Sequence, residues 1–154
     1  MSSPEQSLNL HSFSNPASEA DVESPLILVV EDNEDNLLLM SEVLLALDCS
    51  FITTKEGRAA LFMAQHYQPK LILLDILLPD IHGVEVVRCL KQNPQTMTIP
   101  IVAVTALARA EDREGLLFAG CNDYISKPYL IDELEALIDR YLNQFKIDNS
   151  RFTD

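Results

Sequence analysis

The amino-acid sequence predicts an α/β protein with an open, doubly wound, five-stranded parallel sheet. Short apolar runs alternate with segments of helical periodicity, and this alternation repeats five times between residues 25 and 143. Strands that alternate with helices require right-handed crossovers, which make the strands parallel and cover both faces of the sheet with helices. Five units are too few for a closed α/β barrel, which needs about eight.

The predicted strands are short apolar runs bounded by polar or turn-forming residues. The first reads LILVV, and the third carries four successive apolar residues into Asp75 before Pro79 and Gly83 break the pattern. Continuous apolar runs of this length are typical of strands that are buried on both faces. In chain order we predict strands at 26–30, 50–53, 70–75, 99–106 and 123–126.

The predicted helices lie between and after these strands, where apolar residues recur at helical spacing. Thr53 and Glu56 have the spacing of a capping box and predict the start of the second helix, which Pro69 ends. Gly120 suits the position just after the fourth helix. In chain order we predict helices at 34–47, from the Thr53–Glu56 box to about 66, 83–92, 108–119 and 131–143.

Composition and charge exclude several classes of function. The 154 residues are 47% hydrophobic, enough for a core, and 24 acids against 11 bases give a formal net charge of −13. The absence of a Lys/Arg cluster argues against binding a nucleic-acid backbone or an anionic membrane surface. No segment has the pattern of a signal peptide or a membrane span. Three unevenly spaced cysteines without a CxxC pair indicate free thiols, so we expect a cytoplasmic protein.

The two ends of the chain differ in texture from the region between them. Residues 1–24 contain four acids and no bases and show no periodicity, so we expect an unstructured polar tail. Residues 25–143 form the predicted domain. Residues 144–154 lose the helical pattern, and we expect them to be a C-terminal tail.

Polar side chains are predicted to meet at the carboxyl edge of the sheet, where open α/β sheets bind ligands. Glu31 and Asp32 follow the first strand, Asp75 ends the third, Thr105 ends the fourth and Lys127 follows the fifth. Each alone has an ordinary explanation as a cap, a turn residue or a surface charge. Together, three carboxylates repel one another unless a cation lies among them, and such ligands suit Mg²⁺. With a lysine and a hydroxyl for phosphoryl oxygens, the set indicates phosphoryl transfer to a carboxylate.

Four stretches of the sequence resemble the receiver domain of two-component response regulators. They are VVEDN (29–33), LILLDILLPDIHG (71–83), VAVTALA (102–108) and GCNDYISKP (120–128). The resemblance covers about residues 25–143 and implies a flavodoxin-like receiver fold with strand order 2-1-3-4-5.

The resemblance implies a chemical role for each matching residue. Asp75 would accept a phosphoryl group from a phosphohistidine on a sensor histidine kinase or a histidine phosphotransfer protein. Asp32 and Asp75 would bind Mg²⁺ directly, Glu31 would bind it through water, and the backbone carbonyl of Leu77 would complete the shell. Lys127 would bind the phosphoryl group.

The resemblance also implies how phosphorylation is transmitted to partners. Pro128 would follow a cis peptide bond that orients the lysine. Thr105 would move toward the phosphoryl oxygen, and Tyr124 would change rotamer with it. This population shift would alter the face formed by the fourth helix, fifth strand and fifth helix, and so control binding of a downstream effector protein. A kinase would contact the first helix and the loop after Lys127, at Asn36, Leu37, Met40 and Tyr129.

Two departures from the family pattern stand near Asp75. His82 precedes Gly83 where Asp-Gly is common, a change confined to the turn. Leu77 and Leu107 lie two residues after Asp75 and Thr105, where the family tunes access of the hydrolytic water. Because both are bulky and apolar, we expect slow self-dephosphorylation.

Rival functions fit the sequence less well. An aspartyl phosphatase would have a second Asp at position 77, where this chain has leucine, and so would lack its general acid. A flavin or dinucleotide binder needs a glycine-rich turn after the first strand, and none of the four glycines lies there. We therefore expect a phosphoacceptor that catalyses only its own phosphorylation and dephosphorylation.

Three forms of the receiver function stay open. We favour a stand-alone regulator over a relay to a histidine phosphotransfer protein or a receiver-like module that binds partners without phosphorylation. A fragment of a longer regulator is a further alternative. Arg140 is the only base on the predicted fifth helix, so we expect a monomer or weak dimer, not the activation dimer of transcriptional regulators.

Overall fold

The computed structural model describes residues 24–106 and 109–153, and the backbone alone from residue 144 onward. The tail predicted at 1–24 therefore lies almost entirely outside the described residues. Five strands alternate with five helices in the described part of the chain. They are β1 (Leu26–Val30), α1 (Glu34–Ala46), β2 (Ser50–Thr54), α2 (Gly57–Tyr67), β3 (Leu71–Asp75), α3 (Gly83–Gln92), β4 (Ile101–Thr105), α4 (Ala110–Ala119), β5 (Asp123–Ser126) and α5 (Ile131–Thr153).

The strands form one sheet in the order β2-β1-β3-β4-β5, with every neighbouring pair parallel. This confirms the predicted fold class and strand order. β3 and β4 are buried along their whole length, as continuous apolar runs predict for central strands of a sheet covered on both faces.

Strand alternation divides the apolar core into two clusters, because successive side chains point to opposite faces of the sheet. Leu28 and Ile72 belong to the cluster that packs against α2, α3 and α4. Ile27 and Leu73 belong to the cluster that packs against α1 and α5. Each helix therefore packs an apolar face against the sheet. The polar residues at the ends of the strands lie outside this core and are available to form the site.

The start of α2 differs from the prediction. Thr53 lies inside β2 and is buried, so it cannot cap the helix that follows. Glu56 is the N-cap residue, but its side chain makes no capping hydrogen bond. Instead, the carboxylate of Asp80 accepts hydrogen bonds from the backbone amides of Gly57 and Arg58, at 2.9 and 3.0 Å. The capping-box prediction is wrong because strand pairing with β1 takes Thr53 and a loop distant in sequence supplies the cap.

The end of α5 also differs, since its backbone continues past residue 143 to Thr153. Leu134, Leu137 and Ile138 form a buried apolar stripe on this helix, each at most 7% exposed. The apolar stripe marks the part of α5 that packs on the sheet. Backbone hydrogen bonds continue a helix without such a stripe, so its loss did not mark the end. In the described residues, no helix is long and apolar enough to cross a membrane.

Candidate functional site

The carboxyl edge of the sheet brings the predicted site residues to one end of the molecule. Thr105 ends β4 level with Ser126 of β5, and Asp75 ends β3 one residue earlier in the register. By strand alternation, Asp75, Glu31 and Lys127 lie on the face that α1 and α5 cover, whereas Thr105 lies on the opposite face. The sheet therefore places the two acids and the lysine together.

The buried carboxylates share one lysine. Glu31 is fully buried and Asp75 is 4% exposed. Nζ of Lys127 lies 2.8 Å from Oε1 of Glu31 and 3.4 Å from Oδ2 of Asp75. The other oxygens accept backbone hydrogen bonds at 3.1 Å, from the amide of Asn33 to Glu31 and from the amide of Leu77 to Asp75. One positive charge thus faces two buried acids, which leaves the cluster net negative.

The pKa values of Glu31 and Lys127 are both raised, for different reasons. Burial raises the pKa of Glu31, with the charge of Asp75 adding to it, although the hydrogen bond from Lys127 opposes the shift. Burial alone would lower the pKa of Lys127. The hydrogen bond and negative charge of Glu31, together with Asp75, outweigh burial and raise the pKa of Lys127 above its ordinary value. The lysine is therefore held as a cation at neutral pH.

The acidic side chains fit a divalent cation. Glu31, Asp32 and Asp75 each offer a carboxylate oxygen, and these atoms lie within 4.8 Å of one another. The side chain of Asp32 is exposed at the mouth of the cluster, so a partly hydrated ion can reach it. Oxygen ligands with excess negative charge suit Mg²⁺ or Mn²⁺, which keep several waters. Leu77 follows two residues after Asp75 and is joined to it by its amide, so its carbonyl belongs to the same edge.

The remaining predicted residues surround this cluster. Thr105 is fully buried, and its carbonyl accepts a hydrogen bond of 2.8 Å from the amide of Lys127. The bond between Lys127 and Pro128 is cis. Tyr124 is partly buried, with the guanidinium carbon of Arg113 5.0 Å from its ring centre. Leu107 lies outside the described residues.

The residues predicted to contact a kinase are not equally accessible. Asn36, Leu37 and Tyr129 are partly exposed, whereas Met40 is 1% exposed and packs in the core beneath α1. The prediction that Met40 binds a partner is wrong because its position on α1 faces the sheet. Among the described residues, the buried hydroxyl of Tyr129 has no hydrogen-bond partner. Burial raises the pKa of Tyr129, and the negative charge of Glu31 adds to this shift. This ring borders the acidic cluster.

Sequence reasoning missed Asp80, the residue that caps α2 from the loop after β3. The two partners are 22 and 23 positions away in the sequence. Local patterns reveal capping residues only when the cap is next to its helix. Asp80 lies inside a stretch that carried the family resemblance, but nothing in that stretch pointed to α2.

A sequence model described as response regulator receiver domain matches residues 27–139. The chain belongs to this family. It is 40% identical over 116 residues to the polar-differentiation response regulator DivK of Brucella anthropi. The aligned region covers 75% of this chain and 94% of DivK. The resemblance inferred from the four sequence stretches is therefore confirmed.

Solved receivers share the fold. The receiver domain of sensor histidine kinase PA1611 from Pseudomonas aeruginosa PAO1, with magnesium in its active-site cleft, gives a TM-score of 0.72 at 32% identity, covering 78% of this chain and 98% of that one. The Mn²⁺-bound form of response regulator Rcp1 gives 0.65 at 32% identity, covering 74% and 88%. Similar receivers thus hold a divalent cation, and receivers are phosphoacceptor signalling domains in two-component systems.

Proposed function

We propose that this chain is a response regulator that accepts a phosphoryl group on Asp75 from a sensor histidine kinase or a histidine phosphotransfer protein. The observation that carries the proposal is the buried carboxylate of Asp75, 3.4 Å from Lys127 and within 4.8 Å of two further acids. A buried acid with this environment is suited to become an acyl phosphate, because the lysine and a bound cation balance the added charge.

The reaction joins an oxygen of Asp75 to phosphorus as the bond from phosphorus to the donor imidazole nitrogen breaks. The electron pair of that bond returns to the imidazole, and the product is a mixed anhydride. Mg²⁺, when bound, neutralises phosphoryl oxygens and lowers their repulsion from the carboxylate. Asp32 and Asp75 would hold it directly, Glu31 through water, and Leu77 by its carbonyl. Lys127 keeps its proton, because its pKa is raised, and binds the incoming phosphoryl oxygens.

We propose that Thr105 and Tyr124 transmit the change. Tyr124 lies level with Ala103, two residues before Thr105 on the same face of the sheet. A movement of the Thr105 hydroxyl toward the phosphoryl group vacates space beside the tyrosine ring and favours another rotamer. The surface of α4, β5 and α5 then binds a downstream effector protein with a different affinity.

We further propose a stand-alone regulator in the cytoplasm, which catalyses only its own phosphorylation and slow dephosphorylation. The aligned region of DivK makes up 94% of that protein, which supports a receiver without an attached output domain. Cys49, Cys89 and Cys121 are all free thiols, as a reducing compartment favours. On this proposal the kinase docks at Asn36, Leu37 and Tyr129, beside the acidic cluster.

Intact mass after incubation with Mg²⁺ and acetyl phosphate tests the proposal. We expect one added phosphoryl group on the wild type, dependent on Mg²⁺ and absent from Asp75→Ala. Asp123→Ala is the matched control, because this acid lies at the start of β5, at the opposite edge of the sheet. Phosphorylation that persists in Asp75→Ala, or is lost equally in Asp123→Ala, contradicts the assignment. Transfer from the phosphorylated chain to a histidine phosphotransfer protein, faster than hydrolysis, would favour the relay instead of the terminal regulator.

A further inference from the structure

The loop between β3 and α3, residues 76–82, is closed at its ends by one hydrogen bond and held to a neighbouring helix by its middle. At the end, the amide of Gly83 donates to the carbonyl of Ile76 at 2.7 Å. A Cβ at Gly83 would lie 2.4 Å from the Cα of Ile76, so only glycine permits this closure. In the middle, Asp80 binds the first turn of α2. The loop is thereby closed on itself and tied to a neighbouring helix.

The tie at Asp80 involves both of its carboxylate oxygens. Oδ1 accepts the amide of Gly57 at 2.9 Å and Oδ2 the amide of Arg58 at 3.0 Å. The first amides of a helix have no partner within the helix, and their dipoles attract a negative charge. Burial is the largest single influence and raises the pKa of Asp80, but hydrogen bonds from backbone amides, those of Arg58 and Gly57 foremost, together lower it below its ordinary value. Asp80 is therefore ionised and bound to α2 at neutral pH.

Apolar packing joins the same two segments. A Cβ built on Gly57 would lie 2.3 Å from Cγ2 of Ile81 and 3.2 Å from Cδ1 of Leu78. The loop thus rests directly on the first turn of α2, with no room for a side chain between them. Because of these hydrogen bonds and this packing, we treat the first turn of α2 and the loop as one unit that moves together.

Leu77 stands at the start of this unit, next to the phosphoacceptor candidate. Its amide donates to Oδ1 of Asp75 at 3.1 Å, so the position of the loop affects where the carboxylate of Asp75 points. Its carbonyl is the proposed backbone ligand of the cation. A loop released from α2 would let both ligands spread, and groups that orient metal ligands strongly affect metal affinity.

We propose that Asp80 is a positioning residue for the cation site, and that it couples cation binding to the capping of α2. This inference rests on the proposed function, because it takes the carbonyl of Leu77 and the carboxylate of Asp75 as ligands. Coupling between two sites is reciprocal, so a cap that strengthens cation binding is itself strengthened by the cation to the same degree.

The expected effects are measurable at both ends of the coupling. Asp80→Ala should weaken Mg²⁺ binding by about 10-fold, the lower end of the range for residues that orient metal ligands. In the wild type, saturating Mg²⁺ should slow hydrogen exchange of the Gly57 and Arg58 amides by up to about the same factor. Asp80→Asn should fall between the wild type and Asp80→Ala, because an amide retains one acceptor oxygen for two donors.

The experiment uses the full chain and two NMR measurements. Mg²⁺ is titrated while amide resonances of residues 31, 32, 75 and 77 are followed, and exchange of the Gly57 and Arg58 amides is measured with and without Mg²⁺. Gln68→Ala is the matched control. It removes hydrogen bonds from the Gln68 side chain to the carbonyls of Gln95 at 2.9 Å and Gln65 at 3.1 Å, so it loosens α2 at its other end. Gln68→Ala should keep the wild-type affinity for Mg²⁺.

The outcomes separate this inference from the proposed function. Wild-type binding of Mg²⁺ with equal affinity in Asp80→Ala, or unchanged exchange at Gly57 and Arg58, overturns the role of Asp80 and leaves the receiver site intact. Equal weakening in Asp80→Ala and Gln68→Ala also overturns it, because general loosening of α2 would then suffice. A wild type that binds no Mg²⁺ overturns both. The exchange measurement needs no variant, so it holds even where a substitution prevents folding.

Discussion

Two partly buried lysines at opposite edges of the sheet differ in what surrounds them. At the carboxyl edge, Lys127 lies between the carboxylates of Glu31 and Asp75. At the amino edge, Nζ of Lys91 donates to neutral oxygens, at 2.8 Å to the carbonyl of Ile99, 3.2 Å to that of Met97 and 3.3 Å to the side chain of Asn122. Lys127 thus lies among charged groups, whereas Lys91 lies among neutral polar groups.

The pKa values of the two lysines move in opposite directions for this reason. Burial lowers the pKa of Lys91, since its neutral partners do not compensate for lost hydration, although nearby Cys121 acts in the other direction. The charges around Lys127 outweigh burial and raise its pKa. At the amino edge, Lys91 donates only to neutral oxygens among the described residues, and these hydrogen bonds hold the loops before β4 and β5. The carboxyl edge keeps an excess of negative charge, which stability alone would not favour and which the proposed cation and phosphoryl transfer would use.

The largest expected effect comes from replacing each lysine by methionine, which keeps the chain length and removes the charge. Lys127→Met should slow phosphorylation of Asp75 by acetyl phosphate by at least about 100-fold, as expected when a donor to a developing charge is lost. Lys91→Met should leave that rate unchanged and lower the free energy of unfolding by about 1–3 kcal/mol, because oxygens that it satisfied lose their donor. Intact mass against time and urea denaturation measure the two quantities.

Two results would contradict the separate roles assigned to the two lysines. A slowed reaction in Lys91→Met, measured without urea at a temperature where that variant is folded, would mean that the amino edge influences the site. A Lys127→Met variant that is phosphorylated at the wild-type rate would remove the lysine from the mechanism.

The sequence predicted the carboxyl edge better than the amino edge, for a physical reason. Glu31 and Asp75 each follow an apolar run directly and Lys127 directly follows the predicted fifth strand, and parallel strands bring such positions together whatever the details of packing. Lys91 makes its bonds through the long side chain of a helix residue to carbonyls of two loops, and no local pattern specifies such contacts. The cap of α2 by Asp80 escaped prediction similarly, since it joins segments 22 or more residues apart.

Face and burial were the other properties that the sequence did not resolve. Met40 was assigned to a partner surface by the family resemblance, which indicated the first helix but not which of its residues face the sheet. In the structure it points inward and is 1% exposed. The strand elements, by contrast, were placed to within a residue or two, because a buried parallel strand is marked by its continuous apolar run.

A smaller effect is expected from an apolar side chain exposed at the charged edge. Leu77 is 47% exposed and lies two residues after Asp75. We expect Leu77→Asn to hydrolyse its acyl phosphate severalfold faster, because an amide can hold the attacking water that leucine excludes. Met97→Asn is the control, since Met97 is 48% exposed at the amino edge. A phosphate-release time course with equal rates for Leu77→Asn and the wild type would exclude this role; Leu107→Glu extends the test to the second leucine.

The smallest expected effect is a difference between the two lysines in alkaline solution. The pKa of Lys91 is below its ordinary 10.5 in the folded state, so just below that pH the unfolded chain binds more protons, and folding gains stability from this group as pH rises. The pKa of Lys127 is above 10.5, so its contribution is full below that pH and is lost as pH rises through the raised value. Cys121, whose pKa burial raises to about 12, stays mostly neutral between pH 9 and 11.

Urea denaturation of the wild type and both methionine variants between about pH 9 and pH 11 measures this difference, because subtraction removes groups common to all three. The stability lost in Lys91→Met should grow with pH toward 10.5, whereas the loss in Lys127→Met should hold and then shrink above it. Parallel pH dependences for the two variants would show that neutral and charged surroundings act alike on these lysines. Opposite slopes would establish that folding lowers the pKa of Lys91 among neutral oxygens and raises that of Lys127 between two carboxylates.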